Sequence, residues 1–171
     1  MPDLDLSLVR HAQAGFPRDQ TLGDHERVLT EEGEEEALAM AEYLRSRSFA
    51  PDLVWTSTAR RALATAHHFA QVMEWPPSTV MAREDLYLPE PFDLLQAVRS
   101  CDEAVRHLVV VGHNPGLEAL WGWLCGVKAP SLPTCGVVLI RLTVETWREV
   151  DQGRGEVMDF LSPRILIEGR L

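Results

Sequence analysis

The sequence predicts one α/β domain covering residues 1–171, built on a sheet whose central strands run parallel. Three observations predict it. Strand-like and helix-like segments alternate along the chain. The strongest strand candidate, His107–Val111 (HLVVV), is an apolar run rather than an alternation, as a strand covered on both faces requires. The 171 residues contain no internal repeat, linker or low-complexity tract, and that length suits a single domain.

The elements follow in order. Leu4–Val9 (LDLSLV) reads as a first strand ending at Arg10-His11. Residues 11–30 lack sustained periodicity and contain Gly15, Pro17 and Gly23, so they read as a long loop. Thr30 is placed to cap a helix, with Glu31 and Glu32 in a first turn where the helix dipole favours negative charge. Ala37, Met40, Ala41 and Leu44 repeat at helical spacing and carry that helix to about Arg45. Pro51-Asp52 marks a turn, and Leu53–Thr56 (LVWT) a second strand. Ala59–Met73 is helical, with Ala62, Ala66, Phe69 and Met73 on one stripe, and Trp75-Pro76-Pro77 stops it. Val80–Ala82 is a weak strand, and Leu94, Leu95 and Val98 mark a short helix beyond the proline-flanked loop 87–91. After His107–Val111, Gly112-His113-Asn114-Pro115-Gly116 breaks the strand and a helix runs to about Cys125. The proline-interrupted loop 128–134, a strand at Gly136–Leu142, a segment at 145–150, a turn at Gln152–Gly155 and a last strand at Glu156–Leu161 complete the chain.

Composition narrows the function. Hydrophobic residues make up 46% and charged residues 25%, a globular balance with enough chain for a full core. The 26 acidic against 16 basic residues give a formal charge of −10, which argues against a nucleic-acid-binding surface. The longest apolar runs are strand-length, so no membrane span is expected, and Met1–Asp5 shows no secretory signal pattern. Cys101, Cys125 and Cys135 are odd in number and widely spaced, which suits neither a zinc ribbon nor a redox pair. A soluble protein of a reducing compartment, the cytoplasm, is the expectation.

Two histidines stand where strands give way to loops: His11 after Arg10, and His113 after Gly112. In open α/β sheets, ligands bind at the carboxyl ends of the strands. The second strand ends in the same way at Thr56-Ser57, just before Arg60-Arg61 open a helix. Two imidazoles, a guanidinium and a helix N-terminus brought to one edge suit a phosphoryl group. The bulk negative charge does not forbid this. Charges beyond a Debye length, about 8 Å at physiological salt, are largely screened, whereas a guanidinium at about 4 Å contributes roughly 4 kcal/mol at an effective dielectric near 20. The pocket outweighs the field.

Several segments together resemble the histidine phosphatase (phosphoglycerate mutase-like) superfamily. Leu8-Val9-Arg10-His11-Ala12 is similar to its arginine–histidine signature, and Asp24–Gly33 to a D-x-x-R-x-L-T-x-x-G segment. Ser57–Ala66 resembles its S-P-x-x-R-A-x-Q-T stretch, and Val110–Pro115 its second histidine motif. Leu132–Gly136 and Ser162-Pro163-Arg164 resemble the small SixA-type phosphohistidine phosphatases. The resemblance implies a three-layer α/β/α fold around a mostly parallel mixed sheet, and one histidine phosphatase domain. It implies that His11 is the nucleophile and that Arg10, Arg61 and His113 complete a phosphate pocket, with Ser57, Arg27 and Asn114 as further phosphate contacts. Counting from Ser57 puts the second arginine at Arg61 rather than Arg60.

The resemblance further implies a phosphohistidine intermediate released by water, with no metal and no cofactor. The expected partner is a histidine-phosphorylated protein or, as the alternative, a small phosphate ester, with inorganic phosphate as product. A silent phospho-ligand binding module is a third reading, against which the intact His11 argues. Departures from the family pattern are Ala12 for glycine, Thr58 for proline and Ala64 for glutamine. Glu84, Asp85 and Glu90 are poorly framed for the family's general acid, so Asp24 is the preferred candidate. His25 and His107 read as structural or solvent-facing, adjacent His67 and His68 face different sides of a helix, and Trp121 and Trp123 read as packing residues.

Overall fold

In the computed structural model, which describes residues 3–16 and 22–168, each predicted strand forms. They are β1 (Leu4–Arg10), β2 (Leu53–Ser57), β3 (Val80–Arg83), β4 (His107–Gly112), β5 (Val137–Leu142) and β6 (Gly155–Leu161). The helices are α1 (Glu31–Ser46), α2 (Arg60–Met73), α3 (Pro91–Arg99), α4 (Gly116–Cys125) and a short α5 (Pro163–Ile167). The strands make one mixed sheet in the order β3-β2-β4-β1-β5-β6. The first four are mutually parallel, and β5 runs antiparallel to both β1 and β6.

Side-chain alternation divides the core into two layers. On β4, Leu108 and Val110 face a cluster with Leu94, Leu95 and Val98 of α3 and Leu117, Leu120 and Leu124 of α4. Val109 and Val111 face the opposite cluster, with Ala37, Met40 and Leu44 of α1 and Ala62, Ala66 and Phe69 of α2. The period of two thus feeds both helical layers from one strand. Ser7, the polar residue in the middle of β1, is buried but bonded to His107 Nε2 at 2.8 Å, which makes His107 structural. Trp121 is buried in the α3–α4 layer, as its packing role requires.

Sequence signals at the helix ends are confirmed. Thr30 Oγ1 accepts the Gly33 amide at 3.0 Å and caps α1. Gly33 has a further role. A Cβ there would overlap the Gln13 carbonyl, so only glycine lets α1 begin against the loop that leaves β1. Gly33→Ala is expected to destabilise the fold by about 1–3 kcal/mol, seen as a lower urea midpoint at constant m. An unchanged midpoint would mean that Gln13 is not held against α1.

Three segments differ from expectation. The long loop has internal order, with a 3-10 turn at Asp24–Glu26 and a bridge from Ala14 to Leu29, while its residues 17–21, with Pro17, lie outside the described residues. Residues 145–150 hold a 3-10 turn at Trp147–Glu149, closed by a capping box from Thr146 to Glu149. Helix α5, which five residues cannot announce by periodicity, is capped by Ser162. No helix among the described residues is long and apolar enough to cross a membrane.

Candidate active site

The parallel register of β1 and β4 assembles the site. It pairs Arg10 with Gly112, so the next residue on each chain, His11 and His113, leaves the sheet at the same edge. Their ring centroids are 5.2 Å apart. β2 ends beside them at Ser57, and Ala59 starts α2, whose first turn places Arg61 between the two rings. Arg61 is 3% exposed, whereas Arg60 is exposed to solvent, so of the two it is Arg61 that stands at the rings. No acidic residue occupies the first turn of α2, and no side chain caps it by a hydrogen bond. A guanidinium at the positive end of a helix dipole makes this corner seek an anion.

Hydrogen-bond partners fix the tautomers. The Ala12 carbonyl can only accept, so His11 Nδ1 donates to it at 2.8 Å. His11 Nε2 is then the lone-pair nitrogen, and Arg61 Nε points at it from 3.3 Å. Arg61 Nη2 donates to His113 Nδ1 at 3.3 Å, which leaves His113 Nε2 to donate to Ser57 Oγ at 2.8 Å. Burial, then Arg61, Arg10 and Arg27, push the His11 pKa down to about 4. Burial, Arg61 and His11 push that of His113 down to about 3.

Both rings are therefore neutral at physiological pH, and His11 offers an unprotonated Nε2. For a reaction that begins at this lone pair, kcat/KM is expected to hold as pH falls through the ordinary histidine value of 6.5 and to drop only near the His11 value of about 4. An acid limb at the ordinary value would contradict this reading of the His11 environment.

A cavity of about 390 Å³ opens above these rings, lined by Arg10, His11, Asp24, Arg27, Arg61, His113 and Asn114, and also by Gln13, Ala14, Leu88 and Thr134. Sequence reasoning named the first seven. Ser57 is different. It is fully buried behind His113, with its Oγ also accepting the Ala59 amide at 3.2 Å, so it orients the imidazole instead of touching a phosphate. Asn114 is corrected as well. Its Nδ2 donates to Glu118 Oε1 at 2.7 Å and to the Leu132 carbonyl at 2.9 Å, leaving no amide N–H for a ligand.

Asp24 does not fit the role of proton donor. Its Oδ2 accepts the Tyr87 hydroxyl at 2.6 Å and Arg61 Nη2 at 3.0 Å, and its Oδ1 accepts Arg27 Nη1 at 3.1 Å. The Tyr87 hydroxyl, then the two guanidinium groups, hold this carboxyl well below the usual carboxylate range. A carboxylate held ionised by one hydroxyl and two cations cannot act as a general acid at neutral pH. Glu84, Asp85 and Glu90 do not line the cavity, and Asp85 is paired with Arg83 at 2.6 Å.

Sequence reasoning missed Tyr87, whose ring stands edge-on to His25 at 4.8 Å and to His113 at 5.6 Å. It lies in the non-periodic loop between β3 and α3, and only the fold brings it to the site. Thr65 was missed too: its Oγ1 accepts the Ala12 amide at 2.9 Å and ties the His11 loop to α2. Neither His67-His68 nor any other group of His, Cys, Asp and Glu forms a metal cluster among the described residues.

Comparison with known proteins bears on the family and the fold. The family model of the histidine phosphatase superfamily (branch 1) matches residues 6–86. Over nearly its full length, the chain is similar to the Agrobacterium tumefaciens protein proposed to be the phosphohistidine phosphatase SixA, with 25% identity and a TM-score of 0.80 over 95% of this chain and 99% of that one. The chain belongs to the histidine phosphatase superfamily.

A second SixA structure, in complex with tungstate, agrees in fold with a TM-score of 0.82 at 23% identity, covering 95% and 99% of the two chains. An uncharacterised protein of Mycobacterium tuberculosis is 29% identical over 166 residues, covering 91% of this chain and 100% of its own. The chain also matches, at 41% identity over 63 residues, 2,3-bisphosphoglycerate-dependent phosphoglycerate mutases of Bifidobacterium longum, covering 36% of this chain and 26% of theirs.

Proposed function

We propose that the protein removes the phosphoryl group from phosphohistidine in a protein, through a covalent intermediate on His11. His11 Nε2 attacks phosphorus, the substrate P–N bond breaks as the new P–N bond forms, and the departing imidazole takes its proton from water. Water then attacks the phosphoryl-His11, releasing inorganic phosphate and restoring the ring. Arg61, with Arg10 and Arg27, carries the charge on the transferring group, and neutral His113 holds Arg61 through its Nδ1. The steps require neither metal nor cofactor. Three cysteines without a disulfide suit a reducing compartment, and we assign the cytoplasm.

One observation carries the choice of substrate. Asp24 is the only carboxylate lining the cavity among the described residues, and it is pinned as an anion. An alkyl phosphate leaves as an alkoxide and depends on a donated proton. The imidazole of phosphohistidine is protonated by solvent near neutral pH, so it leaves without an acid from the enzyme. Steady-state kcat/KM on a phosphohistidine peptide is expected to exceed that on any member of a sugar-phosphate panel. A clear preference for alkyl phosphates would overturn the assignment and favour a small-molecule phosphomonoesterase.

A further inference from the structure

Arg10 reaches the cavity from the end of β1, yet it is weakly tied down. Its side chain's one hydrogen bond among the described residues runs from Nη1 to the Leu132 carbonyl at 3.1 Å, while its Nε is enclosed without a partner. Leu132 belongs to the loop between α4 and β5, which has no ladder of its own to hold a carbonyl still. A guanidinium anchored on a mobile carbonyl would wander over distances that matter to phosphate recognition.

The loop is held by Glu118, in the first turn of α4. Its Oε1 accepts the Leu132 amide at 2.8 Å and Asn114 Nδ2 at 2.7 Å, with Ser131 Oγ at 3.5 Å. Asn114 Nδ2 then donates at 2.9 Å to the same Leu132 carbonyl that receives Arg10. One carboxylate oxygen thus fixes both backbone groups of Leu132: the N–H directly and the C=O through Asn114. The Leu132 side chain is fully buried, which pins the third corner. Glu118 also stands close enough for its charge to favour the protonated Arg10 guanidinium against burial, together with Glu36 of α1.

We propose that Glu118 is a positioning residue for Arg10, the brace that fixes the Leu132 carbonyl on which the phosphate-binding guanidinium rests. The brace rests on the assignment of Arg10 to the phosphoryl group made above. It acts through hydrogen bonds, so the uncharged isostere should serve.

The test is orthovanadate inhibition combined with steady-state kinetics. Glu118→Ala is expected to raise the vanadate Ki and the KM by about tenfold, with a smaller change in kcat, because contacts shared by ground and transition states act on KM. Glu118→Gln, whose amide oxygen still accepts both N–H groups, should restore values near those of the parent. In an Arg10→Ala background, Glu118→Ala should have no further effect on Ki, a non-additivity that a merely structural role would not produce. If the alanine variant fails to fold, Glu118→Asp, one methylene too short, takes its place in the same cycle. Additive effects, or an unchanged Ki beside a lowered melting temperature, would overturn the brace and leave the site intact. If Arg10→Ala itself leaves vanadate binding unchanged, the assignment of Arg10 fails and the brace fails with it.

Discussion

Replacing His11 with alanine is expected to abolish turnover, by at least about four orders of magnitude, while inorganic phosphate continues to bind. The two effects separate because different atoms are responsible. The attacking lone pair is His11 Nε2, whose availability follows from the Nδ1 bond to the Ala12 carbonyl at 2.8 Å. The cations that attract the anion, Arg10, Arg27 and Arg61, line the same cavity through side chains of their own and remain in place. His113 is expected to keep its place, with Nδ1 accepting from Arg61 and Nε2 donating to Ser57, and to contribute orientation of the pocket instead of attack. Residual activity near that of the parent enzyme would show that another group attacks; loss of phosphate binding alongside turnover would show that the substitution collapses the pocket.

Arg61→Ala should be the next most damaging change, and Arg60→Ala its control. Arg61 donates from Nε to His11, from Nη1 to the Asp24 carbonyl at 2.8 Å, and from Nη2 to both the Asp24 carboxylate and His113. It is at once a cation in the pocket and the bolt that joins the 24–27 turn to the two imidazoles. Losing one charge-assisted bond to the phosphoryl group costs about 1.5–3 kcal/mol, a roughly ten- to more than hundredfold fall in kcat/KM when the bond forms in the transition state. Arg60 is solvent-exposed, and a surface substitution away from the site shifts energies by about 0.5 kcal/mol at most. If Arg60→Ala proved the more harmful, the electrostatic account of the cavity would be wrong.

Sequence reasoning reached the elements whose physics is local. The apolar run Leu108–Val111 and the strand-like segment Leu4–Val9 identified the two strands that set the register, and the Thr30 cap located the start of α1. The two histidines, Arg10, Arg27 and Arg61 were legible because each follows a strand end or belongs to a recognisable motif. The sequence is silent where a side chain's role depends on what another element brings to it. Asp24 has the acidity of any aspartate until Tyr87, 63 positions away, and Arg61 close on it. Ser57 and Asn114 are phosphate ligands by residue type and scaffold residues by their partners. Glu118 shows nothing in sequence beyond an acidic residue in the first turn of a helix; its partners lie 4 and 14 positions away, across a loop without periodicity.

The account rests on the imidazole of His11 carrying phosphorus, and that can be observed. Brief incubation with a phosphohistidine peptide labelled in its phosphoryl group, followed by an alkaline quench and peptide mapping, is expected to place an acid-labile, base-stable label on His11, absent from the His11→Ala variant. Label on any other residue, or full turnover with no enzyme-bound label at any quench time, would contradict it.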